Sequence, residues 1–230
     1  MLRLAASLFA KSGFGLLPFC NFRTAVPVQV NMKVLVIGAD GTMGRAVVDE
    51  LGQRHEIVTA GRSHGEHKVD LADLQSIRAL FASVGKVDAV VSAAGNVHFG
   101  PLLEMTPEQL EVGIRSKLMG QVHLALEAAK HLNAVGSVTL VAGTLSKDPI
   151  RYGASASLVN GALESFVRSA ALEFPAGTRI NVVSPTVLRE SIEAYGPYFP
   201  GSEGVPGKRV ALAFAKSVEG AQTGQVYYAE

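Results

Sequence analysis

Three glycines, Gly38, Gly41 and Gly44, follow the apolar run at 34–37 at intervals of three residues, and a helical pattern begins directly after them. Glycine allows the positive φ of a tight turn and the close approach of a phosphate group. The first turn of a helix offers unpaired N–H groups and a partial positive charge, which together favour a bound anion. A glycine loop between a strand and a helix is therefore typical of dinucleotide binding, the alternative being a tight turn with a purely structural role. The loop residues predicted to contact the dinucleotide are Gly38, Asp40, Gly41, Thr42, Met43 and Gly44.

The segment after the second apolar run indicates which dinucleotide to expect. An acidic side chain at this point would accept hydrogen bonds from the ribose hydroxyls of NAD, but the residues present are Arg62 and Ser63. Arg62 can form a charge-assisted, bidentate contact with a 2′-phosphate, so the sequence favours NADP(H) over NAD(H). The alternative is a solvated surface arginine. Asp70, after a short third strand, can accept a hydrogen bond from the adenine amino group or cap a helix that begins near Ala72.

These candidate residues lie in a chain that alternates between apolar runs and amphipathic stretches. The runs are rich in β-branched residues and do not alternate with polar ones, which is typical of strands buried on both faces. Strands that alternate with helices predict a parallel sheet with helices on both sides. We therefore expect one three-layer α/β/α domain over 32–230. The predicted strands are 34–37, 57–60, 89–93, 138–142 and 180–183, and the predicted helices are 44–52, 74–84, 107–132 and 155–174.

Charge and cysteine content exclude several classes of function. The 230 residues carry a net charge of +1, but residues 1–31 hold three basic residues and no acids, so the rest is slightly acidic. A slightly acidic domain argues against nucleic-acid binding, and no apolar run approaches the roughly 18 residues of a membrane span. The single cysteine is Cys20, so the domain can form no disulfide or thiolate metal site. His64 and His67 have no convincing third ligand nearby, and no metal site is predicted.

Residues 1–31 differ in composition from the rest of the chain, because they include no acidic residue and are interrupted by glycine and proline. One interpretation is an over-extended start, with Met32 beginning the domain. A second is a transit-type presequence, and a third is an accessory segment; a secretory signal is disfavoured because the apolar run 4–10 is short. We expect a cytoplasmic protein, with organelle targeting as the alternative.

Beyond the glycine loop, several ordered segments carry a resemblance to a known family. The segment Ser92-Ala93-Ala94-Gly95 is similar to its Asn-Ala-Gly turn, where the backbone approaches the cofactor. Segments 99–109, 165–173, 179–185 and 223–227 are similar to its later elements. Over essentially all of 32–230 the chain resembles the short-chain dehydrogenase/reductase family, although the glycine spacing of three and three is that of its atypical members. The resemblance implies a Rossmann-type, doubly wound, seven-stranded parallel sheet and NAD(P)-linked chemistry on a small carbonyl or alcohol. It also implies a homodimer or homotetramer.

The resemblance fails at the catalytic tetrad of Asn, Ser, Tyr and Lys, in which Tyr transfers a proton and Lys holds the nicotinamide ribose. An alignment through the helix at 155–174 places the Tyr position on Ala156 and the Lys position on Asn160. The Ser position falls on Gly143, next to Thr144, and the Asn position falls on Lys117. The family's Lys and Asn are thus exchanged, and a non-standard proton relay is expected.

Two interpretations follow. In the first, the chain is an altered enzyme in which Lys117 supplies an ammonium group, Asn160 holds ribose hydroxyls, and Thr144 or Ser146 orients the substrate oxygen. Tyr152 is then a candidate proton donor, one turn before Ala156 if the helix extends back that far, and His98 is a second candidate because its pKa lies near neutrality. In the second interpretation the catalytic residues are lost, and the domain is an NAD(P)-binding sensor or scaffold.

The resemblance also assigns a role to the segment after the sixth strand. Pro185, Thr186 and Val187 replace the family's Pro-Gly and are expected to lie over the nicotinamide, with Thr186 near its carboxamide. The following segment, 189–206, is rich in proline, glycine and aromatic residues, and it is the expected substrate lid.

Overall fold

The β-branched runs form a seven-stranded parallel sheet. The computed structural model describes residues 31–230, so the interpretations of residues 1–30 lie outside the described part. Neighbouring strands are parallel throughout, in the order β3-β2-β1-β4-β5-β6-β7. This confirms the predicted α/β, doubly wound fold with a three-layer arrangement. The strands are β1 (Lys33–Ile37), β2 (Glu56–Gly61), β3 (His67–Lys68), β4 (Val87–Ser92), β5 (Leu132–Val141), β6 (Arg179–Pro185) and β7 (Val226–Ala229).

Helices cover both faces of the sheet. They are α1 (Thr42–Leu51), α2 (Leu74–Val84), α3 (Pro107–Gly113), α4 (Gly120–His131), α5 (Ala154–Ala170), α6 (Ile192–Tyr195) and α7 (Gly207–Glu219). A π-helical turn, Ile114–Met119, joins α3 to α4, so that the predicted helix 107–132 is one continuous rod with a local distortion. Two apolar clusters form the core, and each occupies one face of the sheet. The central strands contribute to both clusters, which explains why their sequences show no polar alternation.

The order of the strands creates the crevice that a ligand can use. The chain passes from β1 to β2 and β3 on one side and then crosses to β4 on the other side of β1. In a doubly wound sheet, ligands bind outside the carboxyl ends of the strands at this switch point. The glycine loop follows β1, and residues 93–95 follow β4, so the fold brings these two predicted segments together.

Three elements differ from the sequence prediction. Helix α7 was not predicted, although its residues Val210, Phe214 and Val218 form an apolar stripe at helical spacing and are buried. Strand β5 begins at Leu132, where the prediction still had a helix. Helix α5 ends at Ala170 rather than 174.

Candidate active site and cofactor cleft

The glycine loop leaves no room for side chains at two of its three glycines. Gly38 has φ +79°, and a Cβ there would lie 2.8 Å from the Cβ of Ala94. A Cβ on Gly44 would lie 2.0 Å from the carbonyl oxygen of Gly38. Gly41 caps α1 without a side-chain hydrogen bond, and both Gly41 and Thr42 are exposed. The first N–H groups of α1 therefore face open space, and this geometry fits a pyrophosphate group.

A cleft of about 330 Å³ extends from the glycine loop along the ends of β1, β2 and β4. Arg62 and Ser63 lie at its β2 end and are exposed to solvent. Asp40 accepts a hydrogen bond from His64, at 3.2 Å between Oδ2 and Nδ1 when that nitrogen is protonated. The fold brings nine of the predicted dinucleotide contacts together in this cleft, whereas Thr42, Met43 and Gly44 do not line it. The nine are Gly38, Asp40, Gly41, Arg62, Ser63, Asp70, Ala93, Ala94 and Gly95.

Asp70 lines this cleft but does not cap a helix. Its Oδ1 accepts a hydrogen bond from the backbone N–H of Ala72 at 2.9 Å, which closes a local turn. The cap of α2 is Asp73, whose side chain accepts from the N–H of Gln75 at 2.8 Å. The capping alternative for Asp70 was therefore wrong, because α2 begins at Leu74 rather than near Ala72.

A second cavity, of about 250 Å³, lies beyond the carboxyl ends of β5 and β6 and is bounded by the π-helical turn and α5. We call it the inner pocket. Lys117, Thr144 and Asn160, which the sequence predicted as catalytic residues, all line it. The predicted segment after β6 forms the opposite wall, with Pro185, Thr186 and Val187.

The Lys117 side chain lines the inner pocket from the distorted segment between α3 and α4. It lies in the π-helical turn, a feature that is frequent at functional sites. Gly95 has φ +140°, and a Cβ there would lie 2.8 Å from the Cγ of Lys117, so the glycine makes room for the lysine stem. The Lys117 Nζ donates a hydrogen bond to the carbonyl oxygen of Ala142 at 2.9 Å. Burial lowers the pKa of Lys117 from its ordinary 10.5 to about 8.

Gln121, which the sequence analysis missed, holds this helix on β5. Its side-chain amide donates to the carbonyl of Val141 and accepts from the N–H of the same residue, both at 2.8 Å. It also donates to the carbonyl of Lys117 at 3.1 Å. A fully buried glutamine one turn after Lys117 was the available signal, since a polar side chain on a buried helix face needs backbone partners.

Asn160 occupies the space next to Gly143. It is 2% exposed, and within the described residues its Oδ1 has no hydrogen-bond partner. A Cβ built on Gly143 would lie 2.9 Å from the Asn160 Nδ2. A buried amide oxygen without a partner is costly, and Asn160 therefore brings an unsatisfied acceptor to the wall of the inner pocket.

Comparison with known proteins shows the family to which the chain belongs. The family model described as enoyl-(acyl carrier protein) reductase matches residues 33–218. The chain belongs to the short-chain dehydrogenase/reductase family.

Individual relatives point the same way. The trihydroxynaphthalene reductase PfmaI from Pestalotiopsis fici is 30% identical over 199 residues, which cover 73% of this chain and 69% of that protein. The crystal structure of the protein lin1944 from Listeria innocua is similar, with 50% identity and a TM-score of 0.85, over 86% of this chain and all of that one. A small-chain dehydrogenase solved in complex with NADPH shares the fold, with 22% identity and a TM-score of 0.77, over 86% of this chain and 96% of that chain. The family match and the named reductase support an NAD(P)-dependent oxidoreductase.

Tyr152 is placed outside the inner pocket of this short-chain dehydrogenase/reductase. Helix α5 begins at Ala154, so Tyr152 does not lie one helical turn before Ala156, as the sequence suggested. It lies in the left-handed region at φ +66°, is 41% exposed, and packs edge-on against Tyr198. Both tyrosines line a third, larger cleft of about 1220 Å³ that shares Thr144 with the inner pocket. We call it the outer cleft; the lid segment forms one of its walls.

The segment 189–206, which the sequence predicted as a substrate lid, also contributes to the inner pocket. Tyr195, at the end of α6, lines this pocket together with Ser191 and Phe199. His98, in contrast, lines none of the three cavities described.

In the described residues 31–230, no group of three or more His, Cys, Asp or Glu side chains is arranged to hold a metal ion. Within the same range, no helix has the length and apolar character needed to cross a membrane.

Proposed function

We propose that the chain is an NADP(H)-dependent reductase of a small carbonyl compound, in which Lys117 takes the place of the family's tyrosine as proton donor. The observation that carries this proposal is the position of the Lys117 ammonium in the inner pocket, beside Thr144 and the buried Asn160. The position aligned with the tyrosine is Ala156, which is buried and has no proton to give.

Each residue of the inner pocket has a chemical role in this proposal. When bound, the reduced dinucleotide would be the source of the hydride for the carbonyl carbon of the substrate. Lys117 donates a proton from Nζ to the carbonyl oxygen and then regains one from solvent, so the product is an alcohol. A pKa of about 8 keeps the amine mostly protonated at pH 7 and still allows it to release the proton readily. Thr144 orients the substrate oxygen, and Asn160 accepts from a ribose hydroxyl.

The preference for NADP(H) rests on Arg62. Its guanidinium lies exposed at the β2 end of the cofactor cleft, where a 2′-phosphate would be placed by a dinucleotide whose pyrophosphate meets α1. Guanidinium pairs with phosphate through charge-assisted hydrogen bonds. Asp40, the carboxylate at the same cleft, is hydrogen-bonded to His64 rather than to Arg62.

The test is a titration with NADPH and NADH, followed by a screen for NADPH oxidation with carbonyl compounds. We expect tighter binding of NADPH and turnover with at least one class of carbonyl. Lys117→Met should abolish turnover and leave NADPH affinity within about threefold. Turnover that survives Lys117→Met would overturn the assigned donor, and equal affinity for both dinucleotides would overturn the cofactor preference.

A non-catalytic NAD(P)-binding sensor or scaffold is the second candidate. It is favoured by the hydrogen bond from Lys117 to Ala142, which gives the lysine a structural partner even in the absence of a substrate. Saturable NADPH binding without turnover of any carbonyl compound would support this candidate.

We also propose that the chain forms a homodimer or homotetramer through α4 and α5. Leu126 on α4 and Leu158 on α5 are each 50% exposed, and a contact between copies through these helices would remove their apolar surface from water. Light scattering at two protein concentrations tests the proposal. A monomer at both concentrations would overturn it.

A further inference from the structure

A buried carboxylate, that of Glu164, joins three strand ends behind the inner pocket. Glu164 lies on α5, one turn after Asn160, and is 5% exposed. Its Oε1 accepts from the Ser146 hydroxyl at 2.8 Å and from the Ser184 hydroxyl at 2.7 Å. Its Oε2 accepts from the Tyr228 hydroxyl at 3.1 Å. Removing a carboxylate from water is costly, and these three hydroxyls replace the lost water contacts.

The two serines belong to the segments that form opposite walls of the inner pocket. Ser146 ends the short helical turn that begins at Thr144, directly after β5. Ser184 lies in β6, immediately before Pro185 and Thr186. One oxygen atom of Glu164 therefore accepts hydrogen bonds from both segments at once.

The surroundings of Glu164 indicate that it accepts hydrogen bonds and does not transfer a proton to the substrate. Burial, together with the neighbouring carboxylate, raises the pKa of the Tyr228 phenol, so this hydroxyl remains a donor at neutral pH. The nearest cation is Arg168, whose Nη2 lies 3.8 Å from Oε2 on the solvent side. Glu164 does not line the inner pocket.

We propose that Glu164 is a positioning residue, which holds the ends of β5 and β6 at the spacing that carbonyl reduction in the inner pocket requires. The expected effect on kcat rests on the proposed reductase function. The expected effect on the structure of the pocket walls rests on the hydrogen bonds alone. The two effects can be measured separately.

The kinetic experiment compares Glu164→Gln, Glu164→Leu and Ser184→Ala. The amide of glutamine keeps an acceptor oxygen for the two serines, and its NH₂ group can donate to the Tyr228 oxygen. Leucine has about the same size but accepts no hydrogen bond. We expect Glu164→Leu and Ser184→Ala to lower kcat for carbonyl reduction about tenfold and to leave the Kd for NADPH within about twofold. Glu164→Gln should retain at least about a third of the wild-type kcat.

The matched control is Ser217→Ala. Ser217 and Thr139 form a buried hydroxyl pair at 2.7 Å between α7 and β5, and Ser217 lines none of the three cavities described. This variant also loses a buried hydrogen bond, so it should lower Tm but leave kcat unchanged. An equal loss of kcat in Ser217→Ala and Ser184→Ala would mean that general destabilisation, rather than positioning, is the cause, and would overturn the proposal.

Hydrogen exchange provides a measurement that does not depend on turnover. In Ser184→Ala, and in Glu164→Leu if it folds, amides of residues 143–147 and 186–188 should exchange at least about tenfold faster than in the wild type. In Ser217→Ala they should not. Unchanged exchange in Ser184→Ala would overturn the positioning role. Faster exchange in a chain that reduces no carbonyl would support positioning and refute only the proposed reductase function.

Discussion

The Asn160 side-chain amide lies where a side chain at position 143 would begin, since a Cβ on Gly143 would stand 2.9 Å from Nδ2. The packing of the side chain at position 160 is thus coupled to the size of the residue at position 143. In the proposed alignment with the family's tetrad, these two positions are those of the lysine and the serine.

The coupling predicts that Gly143→Ala is destabilising. The backbone of Gly143 is extended, so an alanine adds no backbone strain there. The loss of stability comes from the steric displacement of Asn160, and overpacking of this kind lowers the free energy of unfolding by about 1–3 kcal/mol. Urea unfolding measures it. The control is Gly161→Ala in the same helix as Asn160, where the nearest atom to the new Cβ is 3.9 Å away. Removing an interior helical glycine should stabilise the protein by about 0.5–1 kcal/mol. A neutral Gly143→Ala would contradict the coupling.

Lys117 gives the reduction rate a defined pH dependence. A proton donor must be protonated, so kcat/KM for reduction should fall as pH rises through about 8, the pKa of Lys117. Stability should change in the opposite direction. The folded pKa lies below the unfolded value of 10.5, so the unfolded state binds more protons between these values, and the free energy of unfolding should rise with pH from about 8 towards 10.5.

The measurement compares the wild type with Lys117→Met and with Lys130→Met. Lys130 lies on α4, is mostly exposed and binds Glu127, so its variant should keep both pH dependences. The rise in stability above pH 8 should disappear in Lys117→Met. A pH–rate profile that is flat across pH 7–9 in the wild type argues against Lys117 as the donor.

The sequence predicted the sheet, the glycine loop and the cofactor cleft because these depend on local patterns. Apolar runs identify buried strands, and the glycines stand where a Cβ would meet backbone atoms, as at Gly44. It predicted Lys117, Thr144 and Asn160 as neighbours only through the family alignment. The periodicity predicted the start of α5 to within one residue, at 155 against Ala154, but it does not place Tyr152, which lies in the turn before the helix. Glu164 and Gln121 were missed because their hydrogen bonds to other elements join residues 18 or more positions apart in the sequence.

Arg62→Ala should weaken NADPH binding and leave NADH binding nearly unchanged. A hydrogen bond to a charged group contributes about 1.5–3 kcal/mol, which corresponds to a loss of affinity of about 10- to 100-fold for NADPH. Because Arg62 is exposed, added salt should weaken NADPH binding more in the wild type than in the variant. Fluorescence titration with each dinucleotide checks this, with Arg209→Ala on α7 as a control that keeps both affinities. A parallel loss for NADPH and NADH would show that Arg62 does not read the 2′-phosphate.

Substitutions of Tyr152 distinguish a role of this residue in substrate contact from a role in proton transfer. The phenol lies in the outer cleft rather than in the inner pocket, so Tyr152→Phe should leave kcat within about twofold. Its backbone at φ +66° is strained for a residue with a Cβ, and such a residue loses about 1–2 kcal/mol in the left-handed region. Tyr152→Gly should therefore be more stable to urea than Tyr152→Ala by about 1 kcal/mol, since both variants lose the contact with Tyr198 and only alanine keeps the strain. If Tyr152→Phe instead abolishes turnover while NADPH still binds, the tyrosine is the proton donor, and the outer cleft must close onto the inner pocket during the reaction.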